Sequence, residues 1–105
     1  MTTVAFFYDG EDILGFELHG HSTEHAEDTE GKIVCSAVSS AAYMTVNTAT
    51  EIIGADADIE IDDAKMIFRL TSKIDAAQPL LEGFWLHISQ LAKDYSNRIT
   101  LLSEV

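Results

Sequence analysis

The segment GHSTEHAEDTEGKIVCSAVSSAA, residues 20–42, decides how the rest of the chain is arranged. It starts with a polar, acidic stretch that ends at Gly31, and an apolar run begins almost at once with Ile33. The segment contains the only cysteine of the chain, Cys35, and two of its four histidines, His21 and His25. A thiol near the start of a helix, with a histidine a short loop away, is the arrangement that a cysteine nucleophile needs.

The composition limits the kind of protein this is. The chain has 105 residues, of which 47% are hydrophobic, so it can form one domain, residues 1–105, with its own core. Its 18 acidic and 6 basic residues give a formal net charge of −12 at pH 7. This balance argues against direct binding of nucleic acid, because the phosphates would be repelled. It favours solubility, and it would attract a basic partner by long-range steering.

The cysteine count and the amino-terminal sequence indicate the cellular setting. One cysteine cannot form an internal disulfide, so nothing suggests an oxidising compartment. The first residues, MTTVAFFYDG, lack a basic leader, and no stretch approaches the ~18 consecutive apolar residues of a membrane span. We therefore expect a cytoplasmic protein that does not bind a membrane.

Apolar periodicity predicts the elements of secondary structure. Residues 3–8 and 13–19 form one predicted hairpin, and residues 58–62 and 66–70 form another. A helix follows each hairpin, the first over 33–53 and the second starting at Ser72 or Asp75 and ending before Asn97. Residues 99–102 form a short closing strand. The predicted fold is α+β, a two-layer sandwich in the order ββαββαβ, with a mostly antiparallel sheet and both helices on one face.

Cys35 lies in the first turn of the predicted helix, with Thr29 or Gly31 as its cap. The free backbone N–H groups of a first turn favour the reactive thiolate and could stabilise an oxyanion on an attacked carbonyl. Ser39, one turn beyond, lies on the same face of the helix and could form a hydrogen bond near the thiol. The alternative is that Cys35 is a buried, small apolar residue and that Ser39 only allows close packing.

A histidine must take the thiol proton, and three histidines precede Cys35. His21 directly follows Gly20, where the backbone can turn sharply, and His19 and His25 compete for the same role. All three could instead be solvated side chains. They could also form a metal site with nearby carboxylates, although their spacing matches no zinc signature.

These residues carry a resemblance to a known family, the ribosomal-processing cysteine proteases called Prp. The family pattern is a Gly-His, a short glycine-rich loop and the motif Asp-Ile-Val-Cys-Ala-x-x-Ser. The chain has GH at 20–21, an acidic loop that contains Gly31, and IVCSAVS at 33–39. Lys32 stands where the family usually has aspartate. The order of elements agrees over nearly the whole chain.

The resemblance implies a function and a set of residues. It implies a cysteine endopeptidase that removes a short amino-terminal extension from a protein of the large ribosomal subunit. Cys35 and His21 match the catalytic pair, and Gly20, Gly31 and Ser39 are expected to line the substrate site. The resemblance also implies a homodimer and no metal or organic cofactor.

Two other functions are open at this point. One is a non-catalytic, dimeric interaction domain of the same fold that acts in ribosome assembly. Lys32 and a longer loop before Cys35 would suit lost activity. The other is a metal-binding regulator that uses His19, His21 and His25. Alkylation of the thiol would discriminate a nucleophile from a structural cysteine, and elemental analysis would detect a bound metal.

Overall fold

The computed structural model describes residues 1–20 and 28–104, and in these residues a sheet of five strands packs against two helices. The elements along the chain are β1 (Thr2–Asp9), β2 (Asp12–His19), α1 (Thr29–Asn47), β3 (Ala57–Asp62), β4 (Lys65–Leu70), α2 (Ile74–Asp94) and β5 (Ile99–Glu104). Helix α1 continues into a π-helical turn over Thr48–Ile52. The predicted α+β class and the order ββαββαβ are confirmed.

The strands lie side by side in the order β3-β4-β2-β1-β5. Both hairpins are antiparallel, and so is the pairing of β2 with β4 that joins them. Strand β5 pairs with β1 in parallel, so the sheet is mixed, and the prediction of a mostly antiparallel sheet is confirmed. The parallel pair arises because α2 carries the chain back across the sheet, which is the kind of crossover that parallel strands need.

Aromatic side chains from three neighbouring strands meet at the centre of the core. Phe6 of β1 lies opposite Phe16 of β2, and Phe16 in turn lies opposite Phe68 of β4. All three are buried, and the ring centroid of Phe84 from α2 lies 4.4 Å from that of Phe16. Because alternate residues of a strand point to the same face, these side chains define the face that the helices cover.

The two helices cover this face with side chains of different size. Helix α2 buries residues at spacings of three and four: Ala77, Leu81, Phe84 and Ile88. Helix α1 buries mostly small residues: Gly31, Val34, Val38, Ala42, Thr45 and Val46. In the part of the chain that the structure describes, neither helix combines the length and the hydropathy that a membrane crossing requires.

The first helix begins earlier than predicted, at Thr29 rather than at residue 33. Its N-cap is Asp28, whose Oδ1 accepts a hydrogen bond of 3.0 Å from the N–H of Gly31. The prediction of Thr29 or Gly31 as the cap is therefore wrong, since Gly31 supplies the donor and Asp28 the acceptor. The predicted end is confirmed: Gly54 has a φ of +78°, which glycine adopts at little cost.

Candidate active site

A cavity of about 120 Å³ opens between α1 and the turn that joins β3 to β4. Its lining comes from α1, from the start of β1 and the end of β2, and from the β3–β4 hairpin: Thr2, Leu18, Gly20, Cys35, Val38, Ser39, Tyr43 and residues 61–66. The cavity therefore brings Cys35 together with two of the residues expected at the substrate site, Gly20 and Ser39.

The position of Cys35 follows from the packing of α1. Val34 and Val38 are buried in the core and fix the rotation of the helix about its axis. Cys35, Ser39 and Tyr43 recur every four residues, so they form a stripe on one face of α1. Cys35 itself is only partly buried and lies on the wall of the cavity.

The expectation that Cys35 lies in the first turn of the helix is wrong. Helix α1 begins at Thr29, and with 3.6 residues per turn Cys35 lies more than one turn beyond it. The N–H groups without partners inside a helix belong to its first four residues, and that of Gly31 already donates to Asp28. The first-turn N–H groups are therefore separated from Cys35 and not adjacent to its thiol.

Gly20 directly follows β2 and has a conformation that favours glycine. Its φ is +84°, and a Cβ at this position would lie 2.6 Å from the carbonyl oxygen of Met1. Its N–H donates a hydrogen bond of 3.0 Å to the carbonyl oxygen of Ala64, in the turn between β3 and β4. The backbone immediately before His21 in the sequence is thus fixed at the cavity by contacts on two sides.

The candidate bases are divided between described and undescribed residues. His21 and His25 lie outside the described residues, so their roles stay predictions. His19 is exposed at the end of β2. Within residues 1–20 and 28–104, no three histidine, cysteine, aspartate or glutamate side chains are grouped as a metal site would need. The metal-site alternative therefore depends on His21 and His25.

Gly31 does not line the cavity with the other expected substrate residues. It is buried in the first turn of α1, where its N–H serves the cap of the helix. Asp28, which accepts that bond, also binds Arg98 through both carboxylate oxygens, at 2.6 and 2.9 Å. Arg98 reaches Glu30 as well, with Nε 3.0 Å from Oε1. Hydrogen bonds to Asp28 and then to Glu30 raise the pKa of Arg98 above its ordinary value.

The β3–β4 hairpin forms the far wall of the cavity, and the sequence reasoning did not place it there. Asp62 and Asp63 line the cavity beside Lys65, whose Nζ lies 3.9 Å from Oε1 of Glu17. No local pattern could identify this wall, because the pairing of β2 with β4 brings it to the site across the sheet. Tyr43 was also missed, although its spacing of four from Ser39 was a usable signal.

A second, larger cavity lies away from Cys35, between α1 and α2. Its volume is about 690 Å³, and its lining is mostly apolar or small: Ala37, Ser40, Ala41, Met44, Thr45, Pro79, Leu80, Gly83, Phe84 and His87. His87 is exposed here on α2. This groove lies on the outer surface formed by the two helices, and we refer to it as the helix groove.

Solved structures share this fold. The S. aureus protein described as the essential ribosomal processing protease Prp, in complex with a covalently linked product peptide, has a TM-score of 0.86 and 24% identity, covering 99% of this chain and 100% of that one. The structure of the S. aureus protein in complex with a substrate peptide has a TM-score of 0.87 and 22% identity, with the same coverage of both chains. The SMU.848 protein of Streptococcus mutans has a TM-score of 0.84 at 24% identity, covering 99% of this chain and 94% of that one.

A comparison with curated proteins found no match to the sequence. A comparison with family models found one that covers nearly the whole chain. Residues 1–100 match the Peptidase_Prp family model, described as cysteine protease Prp. The match includes the cavity and the cysteine on its wall. The chain therefore belongs to the Prp family and is a cysteine protease.

Proposed function

We propose that this protein is an endopeptidase that removes a short amino-terminal extension from a protein of the large ribosomal subunit, in the cytoplasm. The observation that carries the proposal is the cavity that Cys35 shares with Gly20, the residue before His21, and with Ser39. The S. aureus protein of the same fold is described as a ribosomal processing protease and binds substrate and product peptides. Both points favour peptide-bond hydrolysis at Cys35.

The proposed reaction uses Cys35 as nucleophile and His21 as base. His21 takes the proton of the thiol, and Sγ of Cys35 forms a bond to the scissile carbonyl carbon. The bond to nitrogen then breaks, and His21 gives its proton to the leaving amine, which is the new amino terminus of the ribosomal protein. Water, activated by the same histidine, hydrolyses the thioester, releases the extension as a free acid and restores the thiol.

The charge of the chain fits a substrate of this kind. The formal net charge is −12, and Asp62 and Asp63 place two of the acidic residues at the cavity. Proteins that bind ribosomal RNA carry basic surfaces, and opposite charge steers such a partner toward the site. Gly20 and Ser39 are proposed to contact the peptide backbone there. Gly31 would act indirectly, since its N–H supports the start of α1.

We also propose that the protein is a homodimer that uses the helix groove. Met44 of α1 lines the groove and has 63% of its surface exposed. The groove is lined by small residues such as Ala37, Ala41 and Gly83, which let a second helix approach closely. Exposed apolar surface of this kind commonly marks a protein–protein contact.

The experiment that tests the proposed function follows the mass of its substrate. The large-subunit ribosomal protein of the same organism, in full-length form, is incubated with the wild type, with Cys35→Ala and with Ser36→Ala. Ser36 is exposed and adjacent in sequence, so its variant is the matched control. We expect a shorter product with the wild type and Ser36→Ala, and a rate lower by about 10⁴-fold or more with Cys35→Ala. Cleavage by Cys35→Ala at the wild-type rate would exclude the proposed nucleophile.

A further inference from the structure

The amino end of α1 is attached to the rest of the molecule by charge rather than by apolar packing. Thr29, Glu30, Lys32 and Ile33 are all exposed, and the first apolar side chain of the helix that is buried is Val34. The amino end of this helix is therefore fixed by polar contacts with Arg98, which lies 70 residues after Asp28 in the sequence.

Arg98 holds the residue that starts the helix. Its guanidinium binds Asp28 through two parallel hydrogen bonds, Nη1 to Oδ2 at 2.6 Å and Nη2 to Oδ1 at 2.9 Å. This two-point geometry fixes the carboxylate in orientation as well as in distance. The same Oδ1 caps α1 by accepting the N–H of Gly31, and Glu30 adds a third contact to Nε at 3.0 Å. The cap and the ion pair therefore share one carboxylate.

Arg98 is itself fixed to the wall of the cavity that contains Cys35. Its carbonyl oxygen accepts a hydrogen bond of 2.8 Å from the N–H of Thr2, and Thr2 is buried and lines that cavity. Its own N–H donates to the carbonyl oxygen of Tyr95 at 2.9 Å. A chain of short contacts thus runs from the cavity wall through Arg98 and Asp28 to the helix that bears Cys35.

We propose that Arg98 is a positioning residue for peptide cleavage. By binding both Asp28 and Thr2, it keeps the amino end of α1 in a fixed position relative to the cavity wall. The inference rests on the proposed function. Displacing a catalytic group by about 1 Å can cost about 100-fold in rate, whereas a partly exposed ion pair contributes little to folding. Loss of Arg98 should therefore affect turnover much more than stability.

The test compares Arg98→Gln, Asp28→Asn and the double variant with the wild type. Asparagine keeps the cap oxygen but loses the charge, so Asp28→Asn separates the ion pair from the cap. Arg69→Gln is the matched control, since Arg69 lies over the ring of Phe7 on a different part of the sheet. The measurements are kcat and KM for a peptide that spans the junction between the extension and the body of the ribosomal protein, and Tm by circular dichroism.

We expect kcat to fall about tenfold or more in Arg98→Gln, with KM changed by less than about threefold and Tm lowered by only a few degrees. Arg69→Gln should keep the wild-type kcat. Asp28→Asn should reproduce the fall, and the double variant should be no slower than the slower single variant, because both changes break one pair. Arg98→Lys, which keeps the charge but not the two-point geometry, should lie between wild type and Arg98→Gln.

The outcomes separate this inference from the proposed function. An active wild type with an equally active Arg98→Gln would overturn the inference and leave the proposed function intact. Additive losses in the double variant would also overturn it. An inactive wild type would overturn the proposed function and this inference together. If Arg98→Gln fails to fold, Asp28→Asn and Arg98→Lys decide the question, and wild-type kcat in both would contradict the inference.

Discussion

The two helices pack on the same face of the sheet but are held there in different ways. Helix α2 buries large side chains, and Phe84 packs directly against the ring of Phe16. Helix α1 buries small residues, and its amino end has no buried apolar side chain before Val34. Apolar packing makes α2 a scaffold. Helix α1 packs on the sheet through small side chains, and another of its faces lines the cavity with Cys35.

The largest predicted effect is on catalysis, the role that we propose for Cys35 on α1 and for His21. His21→Ala should lower kcat/KM by about 10²–10⁴-fold, because it removes the proposed base for the thiol proton. His25→Ala is the control and should leave kcat/KM nearly unchanged. Steady-state cleavage of the junction peptide measures both. If His25→Ala causes the loss and His21→Ala does not, the assignment of the base is wrong.

The second prediction compares how much buried side chains of α2 and exposed side chains of α1 contribute to the free energy of unfolding. Leu81 of α2 is fully buried, whereas Ile33 of α1 has 56% of its surface exposed. Leu81→Ala should lower the free energy of unfolding by about 2–5 kcal/mol, because it leaves a cavity in the core. Ile33→Ala should change it by less than about 0.5 kcal/mol. Urea denaturation at one fixed protein concentration measures both. Equal losses would show that the amino end of α1 is packed as firmly as α2.

The smallest effect concerns the outer surface that the two helices share. Met44→Glu places a charge beside the helix groove and should weaken the proposed dimer without unfolding the monomer. Ile59→Glu is the matched control, since Ile59 on β3 is also exposed, at 45%, and lies away from the groove. Light scattering coupled to size exclusion measures the mass. A wild type that is monomeric at micromolar concentration would contradict the dimer, and dissociation by Ile59→Glu alone would place its interface on β3.

Much of the fold could be predicted from the sequence because the relevant signals are local. Alternation in Val4, Phe6 and Phe16 indicated the first hairpin, and the apolar period of α2 indicated its buried stripe. The spacing of Cys35 and Ser39 placed both on one face of a helix, and the structure puts both at one cavity.

The errors arose where a residue depends on a partner far along the chain. The start of α1 was missed because Asp28 lies in a polar stretch, and its orientation is set by Arg98, 70 residues away. The wall formed by Asp62 and Asp63 depends on the register of β2 with β4. The prediction of a mostly antiparallel sheet is confirmed but did not specify the parallel pairing of β5 with β1, which follows from the path of α2 and not from any local pattern.

The central claim is that Cys35 attacks the peptide carbonyl, and the thioester that it forms is the most direct test. The wild type is mixed with the junction peptide, quenched in acid within milliseconds and analysed by intact-mass spectrometry and by tryptic digestion. We predict that the mass of the protein rises by that of the acyl group of the extension, on the tryptic fragment that contains Cys35, and that hydroxylamine removes the added mass. Cleavage without such an adduct, together with unchanged cleavage by Cys35→Ala, would contradict the claim.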